Sequence, residues 1–286
     1  MSPDVASVIL RALSLFAMLQ AVGVAIFLAS FGQLAANSIG PIQRVGQLSA
    51  IAALPLLLGY YAIEAARMAD DWSGVFDTSL QSAVMRSAAT TVLTARVTGV
   101  CILLFGVRRD IAARPAGVAI GALVVAASFA LTGHTAVHRL RGLLAPLLVA
   151  HVLVVAFWLG ALLPLYLVIT REAAHRAASV IDAFSAYATW FVPGIAVVGG
   201  LMALALVPDL ATFREPYGEL LLGKVAGFTL LMGFAAVNKW RLGPAIRLGT
   251  DASAGMLKGT LAFEYALITA VLVATAIMTT FFSPER

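Results

Sequence analysis

GLLAPLLVAHVLVVAFWLGALLPLYLVI, residues 142–169, contains no charged side chain and one histidine, His151. About 20 predominantly apolar residues cross the roughly 30 Å of hydrocarbon in a bilayer, so this stretch reads as a transmembrane helix with residues to spare. Seven more apolar windows lie near 8–33, 44–65, 90–107, 116–136, 186–207, 218–238 and 258–282. Together they predict an all-α fold, a polytopic integral membrane bundle of eight transmembrane helices. The longest polar connection, from Arg67 to about Thr91, is too short to bury a core of its own, so residues 1–286 read as a single membrane domain. The composition agrees: 61% hydrophobic, 12% charged and a mean hydropathy of +0.97 lie well outside the soluble globular range.

The N-terminal MSPDVASVIL lacks a basic region ahead of its apolar run and reads as a retained first helix. Cys101 is the one cysteine, which excludes an intramolecular disulfide and a paired-thiolate metal site. The net charge of +5 does not indicate nucleic-acid binding, because the basic residues sit in short loops that membrane topology explains. Ten of them (Arg44, Arg108, Arg109, Arg114, Arg171, Arg176, Lys239, Arg241, Arg247 and Lys258) fall in the odd-numbered connections. Seven (Arg11, Arg67, Arg86, Arg139, Arg141, Arg214 and Arg286) fall on the other side. The positive-inside rule then predicts both termini outside, periplasmic in a Gram-negative cell.

Polar groups within apolar windows mark function by default. His134 and His138 are spaced i, i+4 and share a face if helix 4 runs through Val137. His151 lies about nine residues into helix 5, some 13 Å below its start. The three imidazoles trace a route from the outer mouth towards mid-bilayer, although His151 suits a helix-packing role equally well and His138 an interfacial one. His175 reads as a loop residue. Glu264 in helix 8 is expected either to pair, with Lys224 and Arg96 as the candidates unless both cations snorkel outwards, or to stay protonated. Asn238, Lys239 and Arg241 close helix 7, where Pro244 is expected to stop it. Met18, Met202, Met232 and Met278 offer neutral thioethers suited to Cu(I), though methionine more commonly fills gaps. Gly121, Gly160, Gly194, Gly199, Gly200, Gly227 and Gly233 are expected to admit close helix neighbours. Pro146 and Pro164 bracket His151 and favour a distorted helix around a cavity.

Several motifs resemble the copper-resistance protein D (CopD) family of bacterial inner-membrane proteins. They are GHTAVH at 133–138, HVLVVAFWLGALLPL at 151–165, FSAYA at 184–188, and YGELLLGKVAGFTLLMGFAAVNKWRLGP at 217–244, followed by Lys258 and Glu264. The resemblance runs from about Gly133 to Phe282. It implies an eight-helix protein associated with moving copper across the inner membrane beside a periplasmic copper-binding partner of the CopC type. The family's polar positions fall on His134, His151, Lys224, Asn238, Arg241 and Glu264. Ala161 stands where the family pattern has the second glycine of Trp-Leu-Gly-Gly, which implies a looser helix contact there, and the copper-binding partner is expected as a separate protein rather than a fused domain.

The leading expectation is therefore a copper permease or conduit in the bacterial inner membrane. His134 and His138 receive the ion, His151 with Met202 or Met232 carries it inwards, Glu264 balances charge, and Trp158 packs or gates. Copper, as Cu(I) or Cu(II), is then cargo, the lipid bilayer and a CopC-type protein are partners, and no nucleic acid is. Two other readings stand beside it: a b-type haem electron-transfer protein with His134 or His138 and His151 as axial ligands, and a copper-binding sensor or assembly factor without flux. No nucleophile–base constellation or P-loop is present, so the chain does not read as an enzyme.

Overall fold

The computed structural model describes residues 1–106, 115–206, 211–247 and 251–282, without the side chains of His134, Thr135, Leu206 and Asp251. Arg108, Arg109, Arg114 and Arg286, counted above for orientation, lie outside the described residues. The helices are α1 (Pro3–Phe31), α2 (Ile39–Ala62), α3 (Glu64–Ala69), α4 (Thr78–Arg86), α5 (Ala88–Gly106), α6 (Pro115–Ser128), α7 (His134–Val137), α8 (Arg141–Arg171), α9 (Ala174–Leu206), α10 (Pro216–Val237), α11 (Gly243–Arg247) and α12 (Asp251–Phe281). Among the described residues, seven spans are long and apolar enough to cross a membrane, and Pro115–Leu131 is a shorter apolar eighth. Each coincides with a window read from the sequence, and the chain is an all-helical polytopic membrane bundle. α9 and α12 start earlier than their windows because AHRAAS and DASAGMLK form helical first turns that are not apolar.

The fourth segment departs from expectation. α6 ends at Ser128, a 3₁₀ turn follows to Leu131, Thr132 is extended, and Gly133 adopts φ +78°. Glycine has no Cβ to clash in that left-handed conformation, so the chain breaks there. α7 is a separate single turn, and its histidine is not on a continuation of helix 4.

α1 is the central helix, packed against α2, α8, α12, α6 and α5. Met18, Val24 and Phe27 are fully buried, and Gln20, Ser7 and Ser14 are buried with them. Its contact with α8 is backbone to backbone. A Cβ added at Gly160 would lie 2.3 Å from Gly23 Cα, and one at Gly23 would lie 1.9 Å from the carbonyl oxygen of Ala156. The looser contact expected beside Ala161 is not found: Ala161 is fully buried and points about 100° round the helix from the crossing. Gly99 of α5 and Gly121 of α6 meet similarly, a Cβ on Gly121 falling 3.1 Å from the Gly99 carbonyl oxygen. Gly227 touches Val271 of α12, but Gly194, Gly199, Gly200 and Gly233 have open space where close neighbours were expected. They lie on α9 and α10, whose outer faces carry residues such as Trp190 and Leu204, 82% and 83% exposed. Lipid tails are as apolar as such side chains and solvate them in the membrane.

Polar ties close both ends of the bundle. On the face that holds residue 1, Arg67 pairs with Asp4 at 2.9 Å and Glu64 at 3.1 Å, and the Trp72 indole donates to the Met1 carbonyl. On the opposite face the buried carboxylate of Glu172, just after α8, accepts from the backbone N–H groups of Asn37 and Ser38 at 2.8 and 2.9 Å and from both side chains. These donors precede α2, so the carboxylate sits at its positive end.

Replacing Gly160 by Val should lower the detergent-state melting temperature sharply or prevent folding, because overfilling a packed contact costs about 1–3 kcal/mol or more. Gly199→Val, placed in open space, should leave it nearly unchanged. Equal effects of the two changes would contradict the crossing.

Candidate functional site

The tight crossing at Gly160 sets the rotation of α8. Trp158 lies two residues earlier, about 200° round the helix, and faces away from α1. Its ring meets Phe228 of α10 edge to face, with centroids 6.2 Å apart. Its Nε1–H donates to Oε2 of Glu264 on α12 at 3.2 Å. Trp158 is 3% and Glu264 2% exposed. Glu264 Oε1 accepts from Nδ2 of Asn238 at 2.5 Å, and Asn238 Oδ1 accepts from the Thr260 hydroxyl at 2.6 Å. Three helices thus converge on one carboxylate through neutral donors. The expected cationic partners are elsewhere: Arg96 donates to Ser128 at 3.2 Å and lies 4.7 Å from the centroid of the Phe129 ring, while Lys224 lies nearer the other end of α10.

Asn238 reaches the carboxylate through a local change of helix type. Asn238–Leu242 forms a π-helical turn in which the Gly243 N–H bonds to the Asn238 carbonyl. Such a wide turn absorbs the missing N–H of Pro244. The helix therefore continues into α11, to Arg247, rather than stopping at Pro244 as expected.

Beneath Trp158 a cavity of about 260 Å³ opens between α8, α9, α10 and α12. Its lining includes Leu162, Met232, Asn238, Lys239, Trp240 and Glu264. α9 and α10 are adjacent in sequence but hardly touch among the described residues, which leaves the space between them. At its rim the Lys239 ammonium donates to the Thr189 hydroxyl of α9. Met232 brings a thioether into the same space as the carboxylate.

His151 is two turns from Trp158 on the same face of α8, and Lys224 is one turn from Phe228 on α10. Because Trp158 and Phe228 touch, these spacings put Lys224 about one turn deeper than His151, within electrostatic reach of the imidazole. His151 Nδ1 is buried and has no hydrogen-bond partner. Lys224 makes no ion pair among the described residues. From the terminal side inwards, the face shared by α8 and α10 thus presents His151 and Lys224, then Trp158 and Phe228, then Met232, Asn238 and Glu264.

The other candidates lie apart. The side chain of His134 lies outside the described residues. His138 is partly exposed beyond the end of α7, and its Nδ1 accepts from the Leu140 N–H at 3.1 Å. His151 is ten residues into α8, about 15 Å along its axis, so His138 and His151 do not share one ion. Met202 lies on α9 away from the cavity lining, Arg241 is exposed, and His175 is exposed in the first turn of α9 rather than in a loop. Among the described residues no three His, Cys, Asp or Glu side chains gather as a metal shell. Thr260 and Phe228 complete the site but give no sequence signal, being a threonine and a phenylalanine in apolar helices.

Residues 1–144 match the family model described as Copper resistance protein D-like, N-terminal domain, and residues 178–278 match that described as Copper resistance protein D. The chain belongs to the copper resistance protein D family. Membership makes it a copper-resistance membrane protein, and the first match extends the likeness over helices that the sequence motifs had not covered. Lys224, Met232, Asn238, Arg241 and Glu264 fall within the second match, whereas His151 and Trp158 lie between the two. No curated protein and no solved structure matches the chain.

Removing one donor to the buried carboxylate leaves it under-satisfied, at about 1–3 kcal/mol. Trp158→Phe and Asn238→Ala should each lower thermal stability in detergent by that order. Each loss should shrink in a Glu264→Leu background, because groups in one network do not add. Full additivity would mean that the indole and the amide do not act through Glu264.

Proposed function

We propose that this copper-resistance protein conducts copper across the bacterial inner membrane along the face shared by α8 and α10. The observation that carries the reading is the continuous line of His151, Trp158 with Phe228, Met232, and Asn238 with Glu264 across the middle of a membrane bundle. Each member has a chemical task. The free nitrogen of His151 is a donor for copper in either oxidation state. The aromatic pair narrows the passage, and Met232 offers a soft neutral sulfur to Cu(I). Glu264 supplies negative charge where a cation would otherwise stand in hydrocarbon. His138, and His134 through its imidazole, serve at the mouth, and Met202 is left off the line. The excess of basic residues in the odd-numbered connections supports termini in the periplasm, and on this reading copper reaches His151 from that side, delivered by a CopC-type protein. No catalytic step is assigned.

Anaerobic copper(I) uptake into proteoliposomes tests the reading. His151→Ala and Glu264→Gln should each lower the initial rate by at least tenfold, and Met232→Leu by several-fold, while all three variants elute as folded protein. Met202→Leu should transport as wild type. Wild-type rates in the His151 and Glu264 variants would overturn the conduit.

A further inference from the structure

The terminal-side half of the conduit has the wrong sign for a bare cation. Lys224 lies within electrostatic reach of His151 and makes no ion pair among the described residues. Glu219 lies about one and a half turns further out on α10 and Glu215 just before its first residue, and both are exposed. Two other cations of this half, Arg11 and Arg96, are likewise held without carboxylates, whereas Arg67 at the terminal face pairs with Asp4 and Glu64. Arg11 donates to the Tyr60 hydroxyl and the Thr279 carbonyl, and Arg96 donates to Ser128. The buried carboxylate, Glu264, lies deeper, beyond Trp158. A cation held at His151 therefore lies within the field of the Lys224 ammonium, about one turn deeper, and the two repel strongly away from bulk water. An anion meets an attractive site.

We infer that copper reaches His151 as an anionic, two-coordinate copper(I) halide complex, with Lys224 as the receptor for its halide; this rests on the conduit reading above. Cu(I) is soft and accepts two ligands in a line, so a dichlorocuprate(I) ion carries one copper, two chlorides and a net charge of −1. The lone pair of a His151 ring nitrogen forms a Cu–N bond, and one Cu–Cl bond breaks. The chloride leaves with its electron pair and is held by the Lys224 ammonium. Copper remains Cu(I) throughout and no electron is transferred. The product, imidazole–Cu–Cl, is neutral and suited to the aromatic layer of Trp158 and Phe228. The site needs one protein ligand only, which matches the single imidazole at this level among the described residues.

The test is anaerobic copper(I) uptake by wild-type proteoliposomes at fixed total copper and ionic strength, with chloride replaced stepwise by gluconate. The inference expects the rate to rise at least threefold from gluconate to 100 mM chloride, the rise to vanish in Lys224→Met, and to persist in Lys224→Arg. Chloride sequesters free Cu(I), so transport of the bare cation would fall as chloride rises. A falling or flat wild-type curve overturns the halide inference and leaves the conduit standing. Uptake no greater than in protein-free vesicles in every anion overturns both.

Discussion

The contact between Gly23 and Gly160 governs the arrangement of everything around it. In a bilayer, helices gain little from hiding apolar side chains from equally apolar lipid, and close backbone approach supplies the van der Waals contact that holds them together. At this crossing neither helix has room for a methyl group. α1 and α8 are thereby locked in both separation and rotation. α8 can then turn only one face, that of His151 and Trp158, towards α10 and α12. The polar interior of the protein follows from that rotation, since Glu264 meets Trp158 rather than a cation.

The carboxylate is the second constraint. Its two oxygens each take one hydrogen bond from a neutral donor on a different helix, so α8, α10 and α12 are tied through a single side chain. Such a node is costly to leave partly satisfied, and its donors are placed by features of their own: the glycine crossing for Trp158, and the π turn before Pro244 for Asn238. Because neither donor carries charge, the carboxylate keeps its capacity to attract a cation, which a lysine partner would have cancelled. The halide inference follows from the same asymmetry, with Lys224 on the outer side of the aromatic pair and the buried Glu264 on the inner side.

Much of this was legible in the sequence. Eight apolar windows coincide with seven membrane-length spans and one shorter apolar helix among the described residues, and the quoted motifs include Trp158, Asn238 and Glu264, which the structure joins by hydrogen bonds. Hydropathy and spacing describe one helix at a time, however, and the contact between Trp158 and Glu264 spans 106 positions. The sequence therefore offered Lys224 and Arg96 as partners for Glu264 by charge alone, and the structure chose an indole and an amide. Nothing in the sequence singled out Glu172, whose carboxylate is buried against the start of α2. The break at Thr132 and Gly133 was hidden inside an apolar window, where only the conformation of one glycine decides. The glycines of α9 and α10 misled in the opposite sense, since composition cannot distinguish a helix neighbour from lipid.

Copper-edge X-ray absorption of the purified, anaerobically copper(I)-loaded protein tests the central claim most directly, with His151→Ala and Met232→Leu measured alongside. The conduit predicts a nitrogen scatterer in the wild type that His151→Ala removes, and a sulfur contribution that Met232→Leu removes. Spectra unchanged in both variants, or copper content unaffected by the pair together, would contradict it and place the metal away from the face shared by α8 and α10.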